Sequence, residues 1–122
     1  MRRSTRALIL ASALLVGCNV SPDSAAPPRE QGLRSLASTT TAKITFANES
    51  GEEIKVYWLD FQGNRKLYRV LQPGESYDQE TYLTHPWLVT DSRENGLHVF
   101  FASTQPSVAR ITPLLARQAL TQ

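Results

Sequence analysis

The chain has little of what builds metal centres and disulfide frameworks. Its 122 residues contain one cysteine and two histidines, and a single cysteine cannot form an internal disulfide. No acidic cluster is spaced with His85 or His98 in the way that metal ligands are spaced. The sequence therefore excludes a fold stapled by disulfides, and it predicts neither a metal site nor a cofactor.

The signatures of the common enzyme classes are also missing. There is no Gly-rich phosphate loop. Ser76, Asp78 and His85 could be written as a triad, but no nucleophile elbow surrounds the serine. A lone histidine is more often a surface or packing residue than a catalytic one. We therefore predict that the protein is not an enzyme.

Only one stretch is a long apolar run without charge, and it lies at the N-terminus. Three arginines within the first six residues precede the run 7–16, and Gly17-Cys18 follow it to complete Leu15-Val16-Gly17-Cys18. This is the layout of a secretory signal, and the run is too short to span a bilayer as a stable helix. The last four residues resemble a bacterial lipobox, so we predict a signal peptide at 1–17 and lipidation of Cys18. The alternative is a secretory signal cleaved elsewhere, with a chance cysteine.

The positive charge of the chain belongs to this signal. The whole sequence carries a formal net charge of +2, but removal of residues 1–17 leaves 10 basic and 11 acidic residues, a net charge of about −1. A nearly neutral domain is a poor nucleic-acid binder, so no nucleic-acid partner is expected. The predicted location is the bacterial cell envelope, and Asn19 after the cysteine favours the outer membrane over the inner one.

Large apolar residues are scarce between Cys18 and residue 41. Ser, Thr, Ala and Pro dominate residues 18–41, and such a composition cannot bury enough apolar surface to fold by itself. We predict that this segment is a disordered tether between the membrane and a domain that begins at residue 42.

From residue 42 the apolar residues follow a period of two, which is typical of β-strands. Short strands alternate with turns, and no helical pattern separates them, so parallel pairing by crossover helices has no room. The prediction is an all-β fold, a seven-stranded antiparallel β-sandwich over 42–112, with Phe46, Val56, Leu88 and Val99 in its core. Residues 113–122 follow as a short C-terminal helical tail. The predicted strands are 43–46, 54–59, 66–71, 75–82, 87–90, 97–101 and 108–112.

The few large aromatic residues are concentrated in one stretch. Both tryptophans and all four tyrosines of the chain lie within residues 54–91. Aromatic side chains bring a large apolar area and a polar atom that needs a partner. Residues 54–91 are therefore predicted to form both the middle of the core and the wall of a binding pocket.

The spacing within this stretch resembles a known family. The β domain of the von Hippel–Lindau tumour suppressor family has segments of the type VWLxFxG, YPxLxPG and SYxxHxW, and their spacing is kept here without a gap between the two tryptophans. The matching residues are Val56-Tyr57-Trp58-Leu59-Asp60-Phe61-Gln62-Gly63, Tyr68, Leu71-Gln72-Pro73-Gly74, Thr81-Tyr82 and His85-Pro86-Trp87-Leu88.

The resemblance implies a ligand and a site. Domains of that family are seven-stranded sandwiches that bind an extended peptide and bury a 4-hydroxyproline in an aromatic pocket. By this resemblance Trp58, Tyr68 and Trp87 are the pocket walls. His85 and Thr81 are the hydrogen-bond partners of the hydroxyl, and Thr81 stands where the family has serine.

Two hypotheses of different classes follow. The first is a lipid-anchored module that binds a proline- or hydroxyproline-containing peptide, or a ring of similar shape, through the pocket. The second is a structural or assembly lipoprotein of the envelope that docks through a strand edge without a pocket ligand. The helical domain by which the family recruits a ubiquitin-ligase adaptor has no counterpart here, since 114–120 could match only its beginning. No ubiquitin-ligase adaptor is therefore expected as a partner.

Overall fold

The computed structural model describes residues 30–120, so the predicted signal peptide and Cys18 lie outside the described residues. The described chain forms seven strands and one helix. They are β1 (Thr41–Asn48), β2 (Ile54–Leu59), β3 (Arg65–Leu71), β4 (Ser76–Tyr82), β5 (Pro86–Asp91), β6 (Gly96–Phe101), β7 (Ser107–Ile111) and α1 (Pro113–Leu120).

The strands form two sheets that pack face to face, which confirms the predicted β-sandwich with a short C-terminal helix. One sheet has the order β4-β1-β7 and the other has the order β3-β2-β5-β6. The prediction that every pair is antiparallel is wrong for one pair, because β1 and β7 are parallel. No crossover helix is needed, since these are the first and last strands of the fold and the other five strands connect them.

The main core lies between the two sheets. Phe46 on β1 is fully buried and contacts the rings of Tyr77, Trp87 and Phe100, at centroid distances of 5.7, 6.1 and 6.0 Å. Val56 on β2 is fully buried in the same cluster. The period-two pattern therefore predicted these two core positions correctly.

A second apolar cluster lies on the other face of the four-stranded sheet. It consists of the buried residues Tyr57, Leu59 and Leu88, with Leu33 and Val99 packed against it. Leu88 is buried as predicted, but on this outer face and not between the sheets, and Val99 is only partly buried. Apolar side chains on both faces of β2 explain why the alternation alone did not distinguish the two clusters.

The segment that precedes β1 packs against this outer face, and the predicted domain start at residue 42 is therefore corrected to the region of residue 30. Ser35 is buried, its amide donates to the Asp60 carbonyl at 3.0 Å, and its hydroxyl donates to the Leu59 carbonyl at 2.6 Å. Glu30 forms an ion pair with Arg65 on β3. Composition indicated a tether here because the segment buries few side chains and is held by main-chain and polar contacts instead.

The turn between β2 and β3 is shaped to receive this segment. Gly63 has φ of 82°, and a Cβ at this position would lie 2.9 Å from the Leu33 carbonyl oxygen. Only glycine combines the left-handed conformation with so close a main-chain approach. The Asp60 carboxylate accepts the amides of Gln62 and Asn64 and closes the turn.

Within residues 30–120 no helix has the length and apolar character required to cross a bilayer. The helix α1 follows β7 directly and lies against β6. Its residues Leu115, Ala116 and Ala119 pack against the main core, which closes one end of the sandwich.

Candidate functional site

The five residues predicted as ligand-binding come from four strands and one turn. Trp58 is on β2, Tyr68 on β3, Thr81 on β4 and Trp87 on β5, and His85 lies in the turn between β4 and β5. Both sheets therefore contribute to the site. We call these five residues the five-residue cluster.

The structure brings all five together. The Trp58 ring lies 5.5 Å from the His85 ring and 6.2 Å from the Tyr68 ring, and Tyr68 lies 4.9 Å from Trp87 in an edge-to-face arrangement. Thr81 joins the cluster through a hydrogen bond from Trp87 Nε1 to its Oγ1, at 2.7 Å. The spacing of the residues along the chain thus becomes a contiguous set of contacts in the fold.

A β-bulge places Tyr68 in this cluster. Arg69 pairs with Val56 and Leu67 pairs with Tyr57, so Tyr68 is the extra residue of β3 with no partner in β2. Counting back by twos from the buried Leu71 would place Tyr68 on the outer face of the sheet. The bulge reverses this, because a one-residue shift in register exchanges the two faces of a strand.

Burial differs among the five residues in a way that suits a binding site. Trp87, Thr81 and His85 are 2%, 5% and 8% exposed, whereas Tyr68 is 50% exposed and Trp58 is partly buried. Thr81 and His85 are thus covered by their neighbours, and the Tyr68 ring is open to solvent. A few polar groups among aromatic side chains are typical of sites that bind small molecules.

His85 lies in a turn that contacts the segment before β1. Its amide donates to the Tyr82 carbonyl at 3.1 Å, and Thr84 Oγ1 in the same turn donates to the Leu36 carbonyl at 2.5 Å. Burial lowers the pKa of the His85 imidazole below the ordinary value, and a hydrogen bond with the main chain of Leu36 partly opposes this shift. The ordinary pKa of histidine is already below 7, and burial lowers the pKa of His85 further. The ring is therefore mostly neutral at pH 7 and can offer one donor and one acceptor.

Two further aromatic residues, which were matched to the family segments but not predicted as site residues, contact the cluster. The Phe61 ring lies 5.6 Å from His85 and 5.6 Å from Trp58, and the Tyr82 ring lies 5.2 Å from His85. Phe61 and Tyr82 are 44% and 39% exposed. Both stand at aromatic positions of the family segments matched in the sequence, and that match is the signal that could have identified them.

One polar atom in the cluster has no partner. Trp58 Nε1 is buried and lacks a hydrogen-bond partner among the described residues. A buried donor left unpaired costs about 1–3 kcal/mol, and exceptions of this kind in native structures require an explanation.

The described residues also contain no group of three or more His, Cys, Asp or Glu side chains that could hold a metal ion.

The comparison with protein families decides the identity of this domain. The family model described as VHL beta domain matches residues 33–109, which is more than half of the chain. The chain belongs to the VHL β-domain family. The match begins at Leu33, in the segment that packs against the outer face, and so agrees with the corrected start of the domain.

Membership defines the general role of the domain. VHL β domains are substrate-recognition domains for peptides, and their role is recognition and not catalysis. Membership in the family therefore supports a protein or a peptide as the partner of this VHL β domain. The five-residue cluster lies within the matched range.

Proposed function

We propose that this VHL β domain binds an extended peptide and receives a proline or 4-hydroxyproline ring at the five-residue cluster. The observation that carries the proposal is the convergence of Trp58, Tyr68 and Trp87 around the buried pair Thr81 and His85. A proline ring packs flat on aromatic faces and loses little entropy on binding, because its backbone is already restricted.

The polar pair supplies the chemistry for a ring that carries a hydroxyl. Thr81 Oγ1 already accepts a hydrogen bond from Trp87 Nε1, so its own proton remains available for a ligand oxygen. A neutral His85 offers an acceptor for the ligand's hydroxyl proton. A ring hydroxyl that meets both groups would exchange its hydrogen bonds with water for two with the protein, a net gain on the order of 0.5–1.5 kcal/mol each.

The edge of the three-stranded sheet can pair with the main chain of the rest of the peptide. In the order β4-β1-β7, strand β4 is an edge strand, and it contains Thr81 and Tyr82 near its end. The main-chain groups of β4 that point away from β1 are therefore placed to pair with an added strand. A peptide along this edge would deliver one of its side chains to the five-residue cluster, while its main chain contributes affinity that does not depend on sequence.

Calorimetry with two peptides of one sequence, one with proline and one with 4-hydroxyproline, tests the proposal. We expect the wild-type protein to bind both. We further expect Thr81→Ser to shift preference towards the hydroxylated peptide, because removal of the methyl group relieves crowding beside the Thr81 hydroxyl and keeps that hydroxyl. His85→Ala is the matched control, and it should lose part of the preference for the hydroxylated peptide, because only the Thr81 hydroxyl then remains to bond the ligand's hydroxyl. If the wild type and Thr81→Ser bind neither peptide, the proposed ligand is wrong.

A second candidate function is docking through a strand edge without a pocket ligand. It is favoured by the exposed apolar side chains on edge strand β3, where Leu67 and Val70 are 54% and 38% exposed. Edge strands with exposed apolar residues are available for pairing with another chain. Under this alternative, substitution of Leu67 and not of Tyr68 would abolish capture of the partner.

We also propose that the domain is carried on a lipid-anchored protein of the bacterial cell envelope, with the outer membrane favoured. The proposal rests on the signal-like residues 1–17 and on Leu15-Val16-Gly17-Cys18. Cys18→Ala should block processing or release the protein from membranes, and fractionation followed by mass spectrometry of the N-terminus measures both. A Cys18→Ala protein that matures and fractionates as the wild type does would contradict the lipid anchor.

A further inference from the structure

The bulge in β3 places a cation next to the aromatic site. Arg69 pairs with Val56 of β2, whose side chain is buried between the sheets, and Tyr68 is the extra residue of the bulge. Residues that pair across two strands share a face of the sheet, so Arg69 points towards the three-stranded sheet. Two consecutive residues of a regular strand would point to opposite faces. The bulge therefore brings an aromatic ring and a guanidinium to the same face of β3.

The Arg69 side chain reaches across to the other sheet. Its Cζ lies 4.6 Å from the centroid of the Tyr77 ring on β4. The Tyr77 ring is itself fixed, because it stacks on the buried Phe46 ring at 5.7 Å and its hydroxyl donates to Gln79 Oε1 at 3.1 Å. A guanidinium over an aromatic face is attracted by the ring. Arg69 is thus an exposed cation that is held in one position.

This position lies at one end of a row of side chains on β4. The row consists of the residues of β4 that are paired with core-side residues of β1, and these pairs are Phe46–Tyr77, Ile44–Gln79 and Ala42–Thr81. Thr81 belongs to the five-residue cluster, and Tyr77 lies against Arg69. A peptide that pairs with the free edge of β4 would direct alternate side chains towards this row. It would therefore pass both the cluster and Arg69.

The charge of Arg69 is not neutralised by the domain itself. In the part of the chain that the structure describes, Arg69 takes part in no ion pair. The acidic residues of β4, Asp78 and Glu80, alternate to the outer face of their sheet. Asp78 is already bonded by Thr45 Oγ1 at 2.6 Å and by Lys43 Nζ at 3.1 Å. The guanidinium of Arg69 is therefore available to a ligand.

We propose that Arg69 selects peptides that carry an aspartate or glutamate two or four residues from the ring residue. These positions share a face with the ring residue in an extended strand. A guanidinium presents paired N–H donors that match a carboxylate, and such charge-assisted bonds are stronger than neutral ones. This selection rests on the proposed function, because it requires the peptide to follow the edge of β4. The ligand class is thus an acidic peptide with a proline or hydroxyproline ring.

Calorimetry with hydroxyproline peptides that carry glutamate or glutamine at one of these positions tests the selection. We expect the wild type to bind one glutamate peptide about fivefold more tightly than its glutamine counterpart, which is typical of an exposed ion pair. Arg69→Gln should bind the two with equal affinity. Arg69→Lys keeps the charge without the planar fork, so it should recover only part of the preference. In about 1 M salt the wild-type preference should fall, because exposed charges are screened.

Arg93→Gln is the matched control, because it removes the same charge elsewhere. Arg93 is exposed in the turn between β5 and β6, and β2 separates β5 from β3 in the sheet. This variant should keep the full wild-type preference for the glutamate peptide. Loss of the preference in both variants would make net charge the cause and would reject a specific role for Arg69. Equal binding of glutamate and glutamine peptides by the wild type would overturn the selection and leave the ring site standing.

A second measurement separates Arg69 from the ring site. If the wild type binds no hydroxyproline peptide, the proposed ring ligand is wrong, and peptides with alanine in place of the ring then test Arg69 alone. They are titrated into the ¹⁵N-labelled full chain while NMR follows the Nε–Hε resonance of Arg69. A shift with the glutamate peptide and not with the glutamine peptide would support the carboxylate site. The absence of a shift with every glutamate peptide would overturn it as well.

Discussion

Phe46→Ala is expected to lower the free energy of unfolding by about 3–5 kcal/mol, which is the usual cost of removing a buried phenylalanine ring. Phe46 is fully buried and touches three other rings, one on its own sheet and two on the facing sheet. Its removal leaves a cavity between the sheets that Tyr77, Trp87 and Phe100 cannot fill without leaving their contacts. Urea denaturation followed by tryptophan fluorescence measures the change.

Phe101→Ala is the matched control for this substitution. Phe101 lies on edge strand β6 and is 51% exposed, so the same loss of a ring should cost less than about 1 kcal/mol there. A similar cost for both variants would show that Phe46 is not the centre of the core. The slope of the unfolding free energy against urea should be unchanged in both variants, because each removes contacts without altering how much of the chain unfolds.

Tyr68→Ala is expected to weaken binding of a hydroxyproline peptide by 2 kcal/mol or more, about 30-fold, which is typical of an aromatic residue at the centre of an interface. Tyr68 is half exposed, stands edge-to-face against Trp58 and Trp87, and presents its open side to solvent. A ligand ring would bury this side. The loss of stability should be small by comparison, because the side chain is only partly buried.

Leu67→Ala is the control that separates the site from the strand that carries it. Leu67 is adjacent to Tyr68 and 54% exposed, but it pairs with Tyr57 and so lies on the outer face of the sheet. Calorimetry should find wild-type affinity for Leu67→Ala. Loss of affinity in Leu67→Ala and not in Tyr68→Ala would indicate docking through the β3 edge, and loss in neither would remove Tyr68 from the site.

The bulge in β3 shows what a sequence pattern cannot determine about such a site. The order and spacing of Trp58, Tyr68 and Trp87 indicated that they share a site, because that spacing resembles a family in which they do. A strict period of two along β3, counted back from the buried Leu71, would place Tyr68 on the opposite face. Tyr68 itself is the unpaired residue of the bulge, and the bulge turns its side chain to the face of Trp58 and Trp87. Bulges arise from pairing between strands, which local sequence does not encode.

The segment before β1 shows the same limit for domain boundaries. Its polar composition indicated a tether, yet Ser35, Leu36 and Thr40 hold both the outer face and the His85 turn through hydrogen bonds. Most of these bonds involve main-chain atoms, which every residue except proline has in the same form. Composition therefore could not reveal them.

The sequence by itself determined the seven strands, the two-sheet architecture and the buried positions Phe46 and Val56, because apolar residues alternate along each strand. It also determined the five residues of the cluster, because their spacing resembles that of a known family. Only the tertiary structure decided the parallel pairing of β1 with β7, the two apolar clusters on opposite faces of one sheet, the contacts of Phe61 and Tyr82 with His85, and the hydrogen bond from Thr84 to the Leu36 carbonyl. These features depend on which distant segments meet in space. That choice is made by the free energy of packing the whole domain, not by the preference of any one stretch.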